Sequence, residues 1–174
     1  VGGNLGTPAL ELLNEDIPDL YVLELSSFQL ETTFSLSAHA SVVLNVSPDH
    51  MDRYANLNEY ANAKKKIYSG SGLMVINQDD DVVKAMDDNL RKSISFTLNK
   101  PEKNNFGTII RNGEVWLCQG DNEIIKQDEL GIKGEHNVAN ALAAIALATS
   151  VNVPFDSMIK TLRSFSGLEH RCQR

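Results

Sequence analysis

Three side chains sit where the surrounding pattern does not ask for charge. Glu24 ends the apolar run Leu20-Tyr21-Val22-Leu23 and is followed by Leu25. A carboxylate buried in such a run is costly unless it is paired or bound to a metal. An edge position or a local salt bridge accounts for it as well as a ligand role does. His50 follows the run 41–46 within Asn45-Val46-Ser47-Pro48-Asp49-His50-Met51-Asp52. Asp and Asn favour turns, so a capped turn explains this segment by itself. Taken with Glu24 at the same place after another strand, it offers an oxygen and a nitrogen donor for a metal. Lys64 falls inside the apolar stripe Leu57, Tyr60, Ala61, Ile67 and Tyr68 when residues 57–69 are wound at 100° each, whereas Lys66 points the opposite way. A lysine on an inward face snorkels, loses its charge or is modified. Asn137 and Asn140 stand one helical turn apart after Gly134-Glu135-His136. Helix capping accounts for them, and so does a polar ligand at an open helix N-terminus.

The elements that must carry these groups follow from periodicity. Residues 8–14 are predicted as a short helix with Pro8 in its first turn. Residues 20–25, 41–46 and 73–77 are predicted strands, mostly apolar, as for strands covered on both faces of a parallel sheet, and residues 93–98 are a fourth strand. Helical patterns occupy 57–69 and 79–90 between them. This alternation predicts a mostly parallel α/β sheet flanked by helices. Strands 106–111 and 114–119 flank Asn112-Gly113, a hairpin signal suited to a type I′ turn, so a small antiparallel unit follows. An Ala-rich helix over 136–150 and a last helix over 154–164 complete the pattern. In open α/β sheets ligands gather at the carboxyl ends of the strands, where Glu24 and His50 fall.

Composition excludes several classes. The 174 residues suffice for one domain with a core. A net charge of −7 opposes a nucleic-acid surface, and Lys64-Lys65-Lys66 is too short a run to change that. No apolar stretch approaches the roughly 20 residues of a membrane span. Cys118 and Cys172 have no metal-type spacing and suggest no disulfide framework, which favours a reducing cytoplasm. There is no Gly-x-Ser-x-Gly, no Gly-x-Gly-x-x-Gly and no Walker A sequence. The start Val1-Gly2-Gly3-Asn4 lacks Met and resembles no signal peptide, so a piece of a longer chain is expected.

Six segments together resemble the Mur ligase family over essentially the whole chain. They are Gly3-Asn4-Leu5-Gly6-x-Pro8, Glu24-Leu25-Ser26-Ser27-Phe28-Gln29-Leu30, Asn45-x-x-x-Asp49-His50-Met51-Asp52-Arg53-Tyr54, Ala63-Lys64-x-x-Ile67-Tyr68, Gly134-x-His136-Asn137-x-x-Asn140-Ala141, and Gly167-Leu168-x-His170-Arg171. The second and third are similar to the branch that adds D-glutamate to UDP-N-acetylmuramoyl-L-alanine. The resemblance implies an ATP-dependent ligase of bacterial cell-wall synthesis, working through an acyl phosphate. It implies that Glu24 and His50 bind Mg²⁺, with Lys64 joining them as a carbamate, and that these three carry the catalysis. It implies contacts of Asn4, Ser26 and Gln29 to the muramoyl substrate, and of Asn137, Asn140 and Arg171 to the nucleotide. Residues 1–165 would be the central ATP-binding domain and 166–174 a hinge, in a monomer. The family's phosphate loop would lie before Val1, leaving an exposed edge or apolar face, and the chain alone would be inactive. A sibling ligase with another amino acid, a folate-extending ligase, a non-catalytic nucleotide- or metal-binding module, and a plain α/β domain remain the competing readings.

Overall fold

The computed structural model describes residues 1–14 and 17–167. Its centre is a six-stranded sheet in which spatial order follows chain order: β3 (Ala40–Val43), β4 (Leu73–Asn77), β5 (Ser93–Phe96), β6 (Phe106–Arg111), β7 (Glu114–Gln119) and β8 (Asn122–Lys126). The first four run parallel and the last three antiparallel. Asn112 and Gly113 take φ of 52° and 80° between β6 and β7, both left-handed, as a type I′ turn requires. β8 extends the expected hairpin to a three-stranded meander.

Helices cover both faces. α4 (Glu135–Ser150) buries Val138, Ala141, Leu142, Ala143, Ile145 and Ala146 against one face and packs across β3 to β6. Its small side chains allow that close approach over four strands. α2 (Leu57–Lys65), its 3-10 continuation Lys66–Tyr68 and α3 (Asp81–Lys84) cover the other face. Val75 faces the first core while Met74 and Ile76 face the second, the alternation a central strand imposes. α5 (Phe155–Ser164) lies against α4 and β8. The mostly parallel, helix-flanked sheet with an antiparallel unit is thus the observed architecture. No helix among the described residues is long and apolar enough to cross a membrane.

Two expectations are corrected. Residues 20–25 do not form a strand buried on both faces. Only β2 (Leu23–Glu24) is a strand; it pairs with β1 (Gly2–Gly3) in a separate two-stranded sheet, and Leu20, Tyr21, Val22 and Leu23 are exposed. Its one backbone partner is two residues long, so the ladder ends there. The helix expected over 79–90 stops at Lys84. Beyond it the Asp87 and Asp88 carboxylates accept from the backbone N–H groups of Asn89 and Leu90, and Asn89 turns left-handed at φ 57°. Side chains that bond their own backbone in this way compete with helix. The segment 8–14 contains a 3-10 turn, Glu11–Asn14, begun by a bond from Glu11 N–H to the Pro8 carbonyl.

Candidate functional site

The chain leaves β3 at Val43 and is held at the sheet's carboxyl edge by side chains from β4 and the loop after it. Asn77 donates to the Leu44 carbonyl, and Asp80 accepts from Val46 N–H while capping α3 through Val83 N–H. The turn 47–54 then projects from that edge. His50 sits there with φ 55°, a left-handed conformation uncommon outside glycine. Its carbonyl accepts from the N–H groups of Arg53 and Tyr54, which closes the turn. Its Nε2 lies 3.5 Å from Asp49 Oδ2.

α2 begins at Asn56, whose side chain accepts from Glu59 N–H at 3.0 Å. Its inner face presents Tyr60, Ala61 and Ala63, and Lys64 is half-buried among them. The lysine is therefore on the inward side, as its spacing predicts. Its Nζ lies 4.9 Å from the centroid of the Tyr60 ring, a cation–π contact. Tyr60 also meets His50 edge-on at 6.1 Å and Tyr54 at 5.2 Å. His50 and Lys64, from a loop and a helix, thus share one aromatic neighbour.

Glu24 is exposed at the end of β2, so it carries no burial penalty; the edge position is what is observed. Its backbone carbonyl accepts from Asn4 N–H at 2.7 Å, which brings Asn4 and Glu24 together. Two residues on, Ser26 caps α1 (Ser27–Glu31) in a capping box. Gln29 N–H donates to Ser26 Oγ, and Gln29 Oε1 accepts from Ser26 N–H at 2.9 Å. Both side chains are therefore already engaged, a role that Ser-x-x-Gln signals in sequence. Phe28 of the same short helix packs on the His50 ring at 4.8 Å. In this way α1 links Glu24 and Ser26 to the His50–Lys64 cluster.

The aromatic group Phe28, Tyr54 and Tyr60 was not assigned a role from sequence, although each lies in or beside a motif. Nor was the pair Glu31–Arg53, in which Arg53 donates to the Glu31 carboxylate. The neighbouring Tyr54 hydroxyl and Arg53 hold the Glu31 carboxyl below its ordinary value. The Tyr54 hydroxyl is buried beside Ser27, Glu31 and Arg53 but makes no hydrogen bond of good geometry. The direct Arg53 contact is accordingly the firmer restraint on Glu31.

Asn137 and Asn140 lie elsewhere, on the first turns of α4. Asn137 Nδ2 donates to the Lys133 carbonyl at 2.7 Å, a local bond that caps none of the helix's first N–H groups. A cleft of about 440 Å³ opens beside this helix start, between the β6–β7 turn at Gly113 and Glu114 and residues Lys133, Gly134 and Val138. Arg171 lies outside the described residues.

The donor set can be judged against a metal ion. Among the described residues no three His, Cys, Asp or Glu side chains gather closely enough to hold one. Mg²⁺ takes one or two protein carboxylates and completes its shell with water and phosphate oxygens. A carboxylate such as that of exposed Glu24 fits that sparse demand, and an imidazole such as that of His50 offers a nitrogen donor beside it. An ammonium does not, because it has no lone pair to offer.

Comparison with known proteins places these features in a family. The model of the Mur ligase middle domain matches residues 5–148. The UDP-N-acetylmuramoylalanine--D-glutamate ligase of Nitrosococcus oceani is 53% identical over 172 residues, covering 99% of this chain and 38% of its own. That of Pseudomonas aeruginosa is 50% identical over 173 residues, with the same coverage of 99% and 38%. The chain thus spans less than two fifths of the length of these relatives. Among solved structures, a UDP-N-acetylmuramoyl-L-alanyl-D-glutamate--2,6-diaminopimelate ligase superposes with a TM-score of 0.70 at 22% identity, over 87% of this chain and 33% of that one. MurF from Acinetobacter baumannii follows with 0.63 at 22% identity, over 78% and 31%. At that identity the likeness concerns the fold alone.

Proposed function

This chain belongs to the Mur ligase middle-domain family, and from that premise we propose that it is the central domain of an ATP-dependent ligase joining D-glutamate to UDP-N-acetylmuramoyl-L-alanine. The observation that carries this reading is the 53% identity, over 99% of the chain, to a ligase named for that reaction. The parent would act in the bacterial cytoplasm, as a monomer, in building peptidoglycan precursor. Residues 1–165 are read as the ATP-handling domain and 166–174 as a hinge.

ATP phosphorylates the terminal carboxylate of the muramoyl substrate, and the D-glutamate amine then displaces phosphate to form the amide. Mg²⁺ at such a site offsets the repulsion between carboxylate and phosphate and stabilises charge on the transferred group. Glu24 and His50 would hold it, with an oxygen and a nitrogen donor. Lys64 would join them once its neutral amine has added CO2 and lost a proton, which gives a carbamate anion with two oxygens in place of the cation. Its place on an inward helical face, 4.9 Å from the Tyr60 ring and one ring away from His50, supports that role. Asn4, Ser26 and Gln29 border the muramoyl substrate at the N-terminus of α1. For Ser26 and Gln29 the capping box engages both backbone N–H groups and the Ser26 hydroxyl proton, so the Gln29 Nε2 amide and the remaining lone pairs are the contacts. Asn137, Asn140 and Arg171 serve the nucleotide, and Asn140 makes this contact from the second turn of α4.

The test is ATP-dependent phosphate release by the full-length parent with UDP-N-acetylmuramoyl-L-alanine, comparing D-glutamate, L-glutamate, L-alanine and L-lysine as acceptors. Release with D-glutamate alone is expected. Release with another acceptor moves the chain to a sibling ligase. No release from a folded parent that binds nucleotide sinks the enzymatic reading. This chain by itself carries no Walker A sequence and is expected to give none, which makes it the negative control.

A further inference from the structure

We propose that Arg53 is a positioning residue for His50: its guanidinium clasps α1 and, through the Phe28 ring, fixes the plane of the imidazole. The proposal rests on the reading of His50 as a metal donor. His50 stands on a turn without regular secondary structure, in a left-handed backbone conformation, so its own strand does not hold it. Something else has to, because a metal donor works only when held to about half an ångström.

The contacts form a closed circuit. Arg53 N–H donates to the His50 carbonyl at 3.0 Å, which places the two residues on one turn. The Arg53 side chain then crosses to α1 and donates to the Glu31 carboxylate at that helix's last residue. On the way its guanidinium carbon lies 5.0 Å from the Phe28 ring centroid. Phe28 in turn packs on the His50 ring at 4.8 Å, tilted by 57°. Arg53 therefore touches His50 twice, through the backbone and through Phe28. Asp49 beside Nε2 and the Tyr60 edge brace the imidazole further. A planar guanidinium can stack on a ring and fork to a carboxylate at once, whereas a lysine ammonium meets one demand at a time. Lys66 Nζ also reaches α1, donating to the Glu31 carbonyl at 3.1 Å, but it has no contact with Phe28 or His50 among those observed.

A second consequence is coupling. The same five-residue helix carries Phe28 in its first turn and Glu31 at its end, and Ser26 caps it. A ligand that shifts α1 therefore shifts the platform on which His50 rests.

The experiment uses the full-length ligase with a non-hydrolysable ATP analogue and titrates Mn²⁺, read by its paramagnetic resonance signal. Wild type, His50→Ala, Arg53→Met and Arg53→Lys are compared, with thermal unfolding measured on each. The His50-dependent part of Mn²⁺ binding should weaken roughly ten- to a hundredfold in Arg53→Met, as for other groups that orient a ligand from behind. Arg53→Lys should recover part of it, and kcat should fall more than KM for D-glutamate. Binding of Mn²⁺ by Arg53→Met within twofold of wild type overturns the proposal. So does a loss that merely tracks the unfolded fraction. Should Arg53→Met fail to fold, Glu31→Gln keeps the shape and removes the partner charge. It should weaken Mn²⁺ in the same direction, and unchanged affinity there is equally fatal. Mn²⁺ binding that ignores His50→Ala overturns the metal role of His50 itself, which is a separate failure.

Discussion

Lys64 is held against an aromatic face, its Nζ 4.9 Å from the Tyr60 ring centroid, and this sets what its replacement should do. In the full-length parent, Lys64→Ala removes the group that would become the carbamate. Phosphate release should fall by orders of magnitude, on the scale of losing a charged group in phosphoryl transfer. Added short-chain carboxylates should restore part of it by occupying the vacated oxygen positions. Turnover equal to wild type would retire the carbamate role. Lys64 was legible because helical spacing puts it inside an apolar stripe, and the Tyr60 contact is where that stripe leads. Glu24 was legible as an anomaly but for the wrong reason. The apolar run before it implied burial, and those residues are exposed. Tyr68 shows what spacing alone does not reveal. It is 3% exposed, donates to the Val75 carbonyl at 2.8 Å and accepts from Val43 N–H at 2.9 Å, bridging β3 and β4. Burial, helped by the Asp87 charge and opposed by the bond from Val43 N–H, pushes its hydroxyl up to about 12, so it stays protonated at any working pH. Tyr68→Phe strands a buried N–H and a buried carbonyl and should cost about 1–3 kcal/mol in denaturant unfolding, with the slope unchanged.

Among the elements, α4 and the meander carry the larger share of the first core, and the two hairpin strands of the meander were readable to the residue, whereas β8 was not read. Asn-Gly fixes the hairpin turn and alternation fixes its faces. The Ala-rich helix was equally clear, because nothing in it competes with helical bonding. The segment after Lys84 was not, because Asp87, Asp88 and Asn89 bond locally and no apolar stripe opposes them. Leu142 is fully buried in the α4 core. Leu142→Ala should lower stability by about 2–5 kcal/mol, the range for a large aliphatic side chain removed from a packed site. Cys118 on β7 is buried, and burial pushes its thiol up to about 11. Peptide mapping after alkylation at pH 8 should find it protected in the folded protein and modified in denaturant. α5 is tethered by Arg163 to Glu129 at 2.8 Å, and that bond holds the Glu129 carboxyl below its ordinary value of 4.5. A depressed carboxyl stabilises the folded state above its unfolded value and loses this as pH falls through the folded one. Amide exchange in α5 should therefore quicken as pH drops below about 4.5 once the intrinsic pH dependence is removed, and Arg163→Ala should abolish that step.

The whole molecule divides into a well-packed six-stranded unit and a stretch that buries little. Within residues 10–23, Leu10 is 79% exposed, Leu13 66% and Ile17 91%, and Leu20, Tyr21, Val22 and Leu23 are exposed as well. Isolated apolar side chains on a surface need no explanation, but several exposed ones on one segment mark a candidate contact surface. The expectation of an exposed apolar face is consistent with this, and the two-residue pairing of β1 with β2 explains its position. The segment has too little backbone partner to join the six-stranded sheet, and of its leucines Leu12 turns inward while Leu10 and Leu13 do not. It follows that these residues contribute little to the stability of the chain taken alone. Changing Leu10→Glu and Ile17→Lys together should leave its thermal midpoint within about 2 °C, as for surface substitutions of a few tenths of a kcal/mol. The same pair should reduce the binding of a hydrophobic dye such as anilinonaphthalene sulfonate and shift the chain away from self-association in sedimentation. A large drop in the midpoint would mean that the stretch packs on the core in solution. In that case the exposed strand at Leu23–Glu24 would be as buried as its sequence first implied, and Glu24 would need a partner for its charge.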